Sequence, residues 1–155
     1  MSDATPFGFK DPGHLVDGDL TLVLAETIPG SPGRGRAPVY RFSMMRTGTA
    51  VQLGEIDLRI SESEDILKYF GHIGYSVLPE YRGHRYAARS CRLLFDLARA
   101  HGMKHLWITC NPENLASRRT CILIGGHLID TVELPGNHEL YYRGDRHKCR
   151  YRIDL

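Results

Sequence analysis

The sequence predicts a mixed α/β fold in which a mostly antiparallel sheet of six to seven strands carries two long helices in its second half. Two observations indicate this class. Short apolar stretches bounded by Gly, Pro, Asn and Asp recur along the chain, as expected for strands. Two stretches in the second half instead place apolar residues at helical spacing. With 155 residues, 42% of them hydrophobic, the chain is long enough for one domain with a buried core.

Strands are predicted wherever apolar residues alternate between turn residues. The predicted strands comprise residues 19–28, 39–45, 50–60, 72–78, 104–110, 127–134 and 147–155. In the third of these the apolar phase changes near Gly54, because Leu53 and Ile56 fall on opposite parities. This change predicts a β-bulge. Residues 61–70 are expected to form a short helix or an ordered loop.

Two helices are predicted in the second half of the chain. Residues 86–101 have apolar residues at helical spacing, and Gly102 supplies the stop. The second helix is predicted from Asn111, as its N-cap, to about Ile124. Residues 29–38 are rich in Gly, Pro and Arg and are predicted as a basic loop rather than a helix.

No shift in composition and no repeat divides the chain, so residues 1–155 are predicted to be a single domain. Residues 1–17, rich in Gly, Pro and Asp, are expected to be a poorly ordered lead-in. The stretch at the N-terminus has neither the basic start nor the apolar run of a signal peptide. No apolar run has the roughly 18 residues of a membrane span.

Charge and cysteine content exclude several classes of function. The formal net charge is only +2, which makes nucleic acid an unlikely partner. The four cysteines are widely spaced without a C-x-x-C pair, so we expect reduced thiols in a cytoplasmic protein. His127, His147 and Cys149 lack a diagnostic metal-ligand spacing, and no metal site is predicted.

The first stretch that indicates chemistry is "PEYRGHRYAARS", residues 79–90, where a predicted strand gives way to a helix. The first turn of a helix presents free backbone N–H groups and the positive end of the helix dipole. Gly83 lets the backbone approach a ligand, and Arg82 and Arg85 add positive charge. This combination suits a phosphate or pyrophosphate. A solvated basic turn is the alternative.

The second stretch is the helix after Asn111. Asn114, Ser117 and Cys121 lie at i, i+3 and i+7, which places an amide, a hydroxyl and a thiol in one stripe of a helix. Such a stripe at the start of a helix could line a cleft. The alternative is a half-buried stripe of small residues with a packing role.

Together and in this order, the two stretches resemble the GNAT superfamily of N-acetyltransferases, over residues 71–126. "GYSVLPEYRGHRYA" is similar to the family's fourth strand and its R-x-x-G-x-G/A acetyl-CoA loop. "WITCNPENLASRRTCILIGG" is similar to the fifth strand and the helix after it, with an N-x-x-S pattern. The resemblance is to a subgroup of predicted acetyltransferases without a known acceptor.

The resemblance implies a sheet that opens between the fourth and fifth strands to hold acetyl-CoA or another short acyl-CoA. Arg82 to Ala87 would bind the pyrophosphate, and Val77 would bind the pantetheine and polarise the thioester. The cofactor contacts implied are Val77, Arg82, Gly83, His84, Arg85, Tyr86, Ala87, Asn114 and Ser117. The acceptor implied is a primary amine of a small molecule or peptide, which attacks the thioester directly.

Three features depart from the family pattern. Arg85 stands where the motif has its first glycine, which a helical backbone would tolerate. Cys121 stands where many members have the tyrosine that protonates the thiolate, so Ser117 is the alternative proton donor. The loop 29–38 occupies the place of the family's first helices, a shortened helical region. The acceptor pocket therefore needs another wall, which a second subunit of a homodimer could provide.

The general base is left open by the sequence. Glu55 and Asp57 share one face of a predicted strand, and His72 lies on the next, so each is a candidate. Glu55, Ser117 and Cys121 are the predicted catalytic residues. The closing loop 135–145 offers acceptor contacts through His138, Glu139, Tyr141 and Tyr142, with an exposed polar loop as the alternative.

Two other functions compete with catalysis. A catalytically weak acyl-CoA-binding module is consistent with the altered glycine motif and the missing tyrosine. An RNA-binding or ribosome-associated protein would use Arg118, Arg119 and the basic C-terminal strand, but the balanced charge argues against it.

Overall fold

The computed structural model describes residues 6–155 and confirms the mixed α/β class. Five antiparallel strands form the first sheet in chain order, namely β1 (Leu15–Asp17), β2 (Leu20–Ile28), β3 (Val39–Arg46), β4 (Gln52–Arg59) and β5 (Ile73–Val77). The second sheet contains β6 (His105–Cys110), β7 (His127–Glu133) and β8 (His147–Asp154), with β8 in the middle. β1 is additional to the predicted strands.

The two sheets part between β5 and β6, which are the strands predicted as fourth and fifth. They touch at one end, where the amide of His72 donates to the carbonyl of Trp107 over 2.7 Å. The Nδ1 atom of His72 accepts from the amide of Trp107 at 2.9 Å. Gly71 passes so close that a Cβ on it would lie 2.9 Å from the same carbonyl. Beyond this junction no ladder joins the strands, and the predicted opening is confirmed.

The helices are shorter than predicted. The helix predicted over 86–101 is divided into α1 (Tyr86–Leu93) and α2 (Phe95–Ala100), because the amide of Leu94 donates to Cys91, three residues back, in a tighter turn. The second helix is α3 (Leu115–Leu123), whose N-cap is Asn114 rather than Asn111. The side chain of Asn114 accepts from the amide of Ser117 at 3.1 Å.

The closing loop contains a short fourth helix, α4 (Glu139–Tyr142), and residues 61–70 contain a π-helical turn at Ile66–Phe70. Between β2 and β3 there is a single 3-10 turn, Pro32–Arg34, in place of longer helices. The shortened helical region is therefore confirmed. No helix within residues 6–155 has the length and apolar character needed to cross a bilayer.

The lead-in predicted for residues 1–17 differs in the part that the structure describes. The ring of Phe7 stacks on His101 with centroids 5.1 Å apart, and the ring of Phe9 meets the edge of Tyr40 at 5.0 Å. β1 then pairs with β2. Aromatic burial of this kind offsets the entropy of ordering a terminus. Residues 1–5 lie outside the described residues.

One face of the first sheet forms the core with α1 and α2. The largest fully buried side chains are Leu20, Tyr40, Phe42, Met44, Leu53, Ile56, Leu58, Ile73, Leu94, Leu106, Ile108 and Tyr151. The predicted β-bulge is present at Leu53, because Met44 pairs with Gly54 and Met45 pairs with Gln52. Gly54 is needed there, since a Cβ would collide with the carbonyl of Ser76.

Candidate active site

A cleft of about 590 Å³ lies where β5 and β6 diverge, and we call it the first cleft. Its walls are the end of β5, the loop 79–85, the start of α1 and one face of α3. The two stretches singled out from the sequence therefore face each other across one opening. This arrangement follows from the parting of the two sheets.

The N-terminus of α1 is open toward the first cleft. The first intrahelical bond joins the amide of Arg89 to the carbonyl of Arg85 at 3.0 Å, so the amides of Tyr86, Ala87 and Ala88 precede the helical ladder. The N-cap residue, Arg85, makes no capping bond with its side chain. Tyr86 and Ala87 line the cleft. These free donors and the helix dipole suit an anion.

Arg85 itself corrects one sequence-based expectation. Its backbone is not helical but left-handed, with φ 60° and ψ 28°, which is rare for any residue other than glycine. The family motif has glycine at this position, and the conformation supplies the physical reason. Gly83, two residues earlier, also has a positive φ of 93°. The loop therefore holds an arginine in a backbone conformation that favours glycine.

Three guanidinium groups border the first cleft, from Arg82, Arg85 and Arg119, and no acidic residue of the described chain lines it. The Nε atom of Arg82 donates to the carbonyl of Val77 at 3.1 Å, which ties the loop to the end of β5. Arg119 was not among the predicted cofactor contacts, because it falls outside the polar stripe of its helix. A cleft with this charge favours a ligand that carries several phosphates.

Of the remaining predicted cofactor contacts, some line the first cleft and others do not. Val77, Gly83, Asn114 and Ser117 line the first cleft. His84 is not among the lining residues, and its ring lies 5.5 Å from that of Tyr86. The hydroxyl of Tyr86 points away and donates to Asp19 at 2.9 Å. Tyr86 therefore offers the first cleft its backbone amide rather than its hydroxyl.

A second cleft of about 280 Å³ meets the first at Tyr75, Asn114 and Ser117, which line both. The hydroxyls of Tyr75 and Ser117 are 2.7 Å apart, so one side chain from β5 and one from α3 form a bridge across the opening. Burial raises the pKa of Tyr75, and its phenol therefore stays protonated at neutral pH.

Tyr75 is not among the site residues predicted from the sequence. It lies on the apolar face of β5 between Ile73 and Val77, where a tyrosine is readily interpreted as core. The hint was its hydroxyl, since a buried phenol requires a hydrogen-bond partner. Nothing in the sequence shows that this partner is Ser117, 42 residues away.

Cys121 lies in the core rather than in either cleft. Its side chain is fully buried, and burial raises the pKa of its thiol. All four cysteines are buried free thiols. A thiol in this setting is an inert packing group. Of the two proton donors proposed on α3, Ser117 is therefore the one that the structure places at the clefts.

The three candidate bases lie outside both clefts. Glu55 is exposed on β4, opposite Ser43 and Ser76 in the sheet register. The carboxylate of Asp57 is held by Arg41 through bonds of 3.0 and 3.2 Å. His72 is fully buried, and both of its ring nitrogens are bonded, to Ser61 and Trp107.

The closing loop walls the second cleft, but through other residues than those predicted. Leu140 and Arg143 line it. Tyr142 is 77% exposed, and the ring of Tyr141 lies under the guanidinium of Arg146. His138 fixes the loop by bonding Asp65 at 2.6 Å and accepting from the amide of Leu140 at 3.0 Å.

No three His, Cys, Asp or Glu side chains within residues 6–155 are grouped closely enough to hold a metal ion. Cys149 is buried in β8, whereas His147 is exposed at the start of the same strand and His127 is exposed on β7.

The family model of the acetyltransferase (GNAT) domain matches residues 21–127, more than half of the chain. The chain therefore belongs to the GNAT acetyltransferase family. The enzyme class predicted from the two motifs, a GNAT-type acyltransferase, is confirmed at the level of the family. No curated protein is significantly similar to the chain in sequence.

Solved structures of acetyltransferases share the fold. A Vibrio cholerae protein described as a ribosomal-protein-serine acetyltransferase has a TM-score of 0.65 at 15% identity, with 94% of this chain and 100% of that chain covered. Ribosomal-protein-S5-alanine acetyltransferase from Vibrio fischeri has a TM-score of 0.60 at 17% identity, covering 75% and 61%. The microcin C7 self-immunity acetyltransferase MccE, in complex with acetyl-CoA and AMP, has a TM-score of 0.58 at 15% identity, covering 76% and 61%. The chain spans less than two thirds of the last two proteins.

Proposed function

We propose that the chain is an acetyl-CoA-dependent N-acetyltransferase that transfers the acetyl group to a primary amine. The observation that carries the proposal is the meeting of two clefts at one hydroxyl bridge, Tyr75 with Ser117. One cleft has the charge and the free amides for a nucleotide cosubstrate, and the other has room for an acceptor. Reactants held on both sides of the bridge would lie in attack geometry.

The first cleft fits the cosubstrate by its donor set. The amides at the start of α1 suit the pyrophosphate, and Arg82, Arg85 and Arg119 suit the phosphates around it. The structure of MccE, which has the same fold, contains bound acetyl-CoA. Acetyl-CoA supplies an activated thioester, so the protein needs to orient the two reactants and manage one proton.

Ser117 is proposed as the proton donor to the departing thiolate. Its hydroxyl faces both clefts and gives its proton to the thiolate while it receives one from the phenol of Tyr75 through their 2.7 Å bond. Tyr75 in turn takes up the proton that the amine nitrogen loses on forming the amide, so both side chains return to their starting protonation states. A positioned acid of this kind contributes about 10²- to 10⁴-fold to a rate. No carboxylate of residues 6–155 lines either cleft, so we propose that the acceptor amine enters in its neutral form or first loses a proton to water.

The test combines binding with turnover. Acetyl-CoA should raise the unfolding temperature of the protein. In a panel of amino acids, polyamines and peptides, at least one amine should gain an acetyl group, which mass spectrometry detects. Stabilisation without any acetylated product would favour the acyl-CoA-binding module instead. No stabilisation by acetyl-CoA would contradict both functions.

We propose further that a single subunit contains the whole acceptor pocket. Leu140 and Arg143 of the closing loop supply the wall that the missing first helices would otherwise provide. A homodimer is then not required for the site. The four buried free thiols suit a reducing compartment such as the cytoplasm.

A further inference from the structure

The second cleft is positively charged. Arg59, Arg143 and Lys148 line it, and among the described residues no Asp or Glu does. The charge of Lys148 is compensated, since its ammonium contacts the carboxylate of Asp145 at 3.0 Å and donates to the side-chain oxygen Oδ1 of Asn111 at 2.8 Å. Arg143 pairs with Glu139 at 2.6 Å on the surface. Arg59 has no such partner.

Arg59 is half-buried at the end of β4 and makes no ion pair with residues 6–155. Its Nη1 atom donates to the carbonyls of Phe70 at 3.1 Å and Gly71 at 3.0 Å. No carboxylate of the described residues lies within ion-pair distance of it, because Asp57, the acid on the same face of β4, is held by Arg41. Burial lowers the pKa of Arg59. An unpaired cation in this setting is unfavourable unless an anion joins it.

The position of the guanidinium depends on Gly74 of β5. A Cβ on Gly74 would lie 2.8 Å from the Nη2 atom of Arg59, so the guanidinium lies directly over the backbone of the opened strand. Gly74 lines the same cleft. The Nε and Nη2 atoms make no hydrogen bond to residues 6–155, and they form the edge of the fork that can bind a carboxylate with two parallel bonds.

We propose that the acceptor carries a carboxylate beside its amine and that Arg59 binds this carboxylate. The proposal rests on the N-acetyltransferase function above and names its substrate class, an amine of amino-acid size. A cleft of about 280 Å³ suits a molecule of that size. Arg59 and the Tyr75–Ser117 bridge line one cleft, so in this proposal the carboxylate lies at Arg59 and the amine is directed toward the bridge.

Arg59 could instead have a purely structural role, since it bonds the two carbonyls at the end of the π-helical turn. The two roles differ in what they discriminate. A structural arginine would change the rates or affinities of all acceptors alike. A carboxylate-binding arginine changes the ratio between an acid and its uncharged analogue.

The experiment uses matched triplets, in which each of the common α-amino acids is compared with its carboxamide and with its decarboxylated amine. The ratio of kcat/KM between acid and carboxamide is measured for the wild type, Arg59→Gln, Arg59→Lys and the control Arg152→Gln on β8. We expect the acid of at least one triplet to be preferred by about tenfold or more. Arg59→Gln should bring that ratio close to one, Arg59→Lys should retain part of it, and Arg152→Gln should leave it unchanged.

A preference for carboxamides or decarboxylated amines throughout would overturn the proposal, and so would an unchanged ratio in Arg59→Gln. If no triplet is turned over, binding of the same compounds to the CoA-loaded protein is measured by calorimetry. Acid-selective binding lost in Arg59→Gln supports the proposal, and failure of every acid to bind overturns it. Stabilisation by acetyl-CoA, measured separately, reports on the proposed function. If Arg59→Gln does not fold, Gly74→Ala displaces the guanidinium and should reduce the same ratio.

Discussion

The phenol of Tyr75 on β5 lies 2.7 Å from the hydroxyl of Ser117 on α3, and both residues line both clefts. Tyr75 lies on the last strand of the first sheet, whereas Ser117 lies on the helix that follows the first strand of the second sheet. Their bond spans the opening that the parting of β5 and β6 creates.

Ser117→Ala should lower kcat by about 10²-fold or more, because it removes the proposed proton donor. Tyr75→Phe should lower kcat less, since the hydroxyl of Ser117 remains. The double variant should be no slower than Ser117→Ala, because the two groups act as a unit. Steady-state kinetics with acetyl-CoA binding measured in parallel provide the check. Cys121→Ala is the control on the same helix and should keep kcat, and a loss there with normal Ser117→Ala would reverse the assignment.

Arg82→Ala and Arg119→Ala should each weaken acetyl-CoA binding by about tenfold, since each removes a charged donor from the first cleft. The remaining affinity should depend less steeply on salt than that of the wild type. Calorimetry at two ionic strengths measures both effects. Arg99→Ala, on α2 and paired with Asp96, is a matched control that should bind acetyl-CoA normally. Equal affinity in all four proteins would exclude the two arginines from the site.

Arg85→Gly should stabilise the protein by about 1 kcal/mol, because glycine adopts the left-handed backbone without steric cost. Arg85→Ala removes the same side chain but keeps the steric cost, so it should not be stabilised. Urea unfolding compares the three proteins. If the side chain also binds phosphate, both variants lose affinity for acetyl-CoA equally. Higher stability in Arg85→Ala than in Arg85→Gly would contradict the strained backbone.

His138→Ala should raise the acceptor KM without changing the affinity for acetyl-CoA. His138 joins the closing loop to Asp65 and packs on Tyr69 and Phe70, with ring centroids 4.7 and 5.3 Å away. Its loss should release α4 and the wall that Leu140 provides. Tyr142→Ala, at an exposed position of the same loop, should behave as the wild type. A rise in KM for Tyr142→Ala but not for His138→Ala would show that the loop acts through its exposed aromatic side chain.

Stability should fall as the pH decreases below about 6.5, the ordinary pKa of histidine, because burial lowers the pKa of His72 in the folded protein. Between the lowered value and 6.5 the unfolded chain binds a proton that the folded chain does not. Glu62 lies 3.8 Å from Nε2 and favours the charged ring, but Nδ1 must stay unprotonated to accept from Trp107. Burial and this bond dominate.

The measurement is the free energy of unfolding at pH 7.5 and 5.5. His72→Asn keeps an acceptor for the amide of Trp107 but does not titrate, so it should be less stable at pH 7.5 and show a smaller pH dependence. His101, whose pKa burial also lowers, is removed in a second variant, His101→Gln, to separate its share. An unchanged pH dependence in His72→Asn would show that His72 does not titrate in this range.

The local elements of the fold could be predicted because their causes are local. Alternating apolar residues, turn residues and the phase change near Gly54 predicted the strands and the bulge within one or two residues. The helix start was placed three residues early, at Asn111, because both asparagines are competent caps. The choice of Asn114 depends on the amide of Ser117 being within reach.

The sequence by itself determined the glycine- and arginine-containing loop before α1 and the polar stripe of α3, since both are short contiguous patterns. It did not determine what those patterns meet. The bond from Tyr75 joins it to Ser117, 42 residues later in the chain. Arg59 on β4 is held by the carbonyl of Phe70, at the end of the π-helical turn. Only the parting of the two sheets decides which side chains face one opening. The tertiary structure also places Glu55 outside the clefts and buries His72. The surroundings of a side chain are set by packing between elements rather than by the sequence pattern within one element.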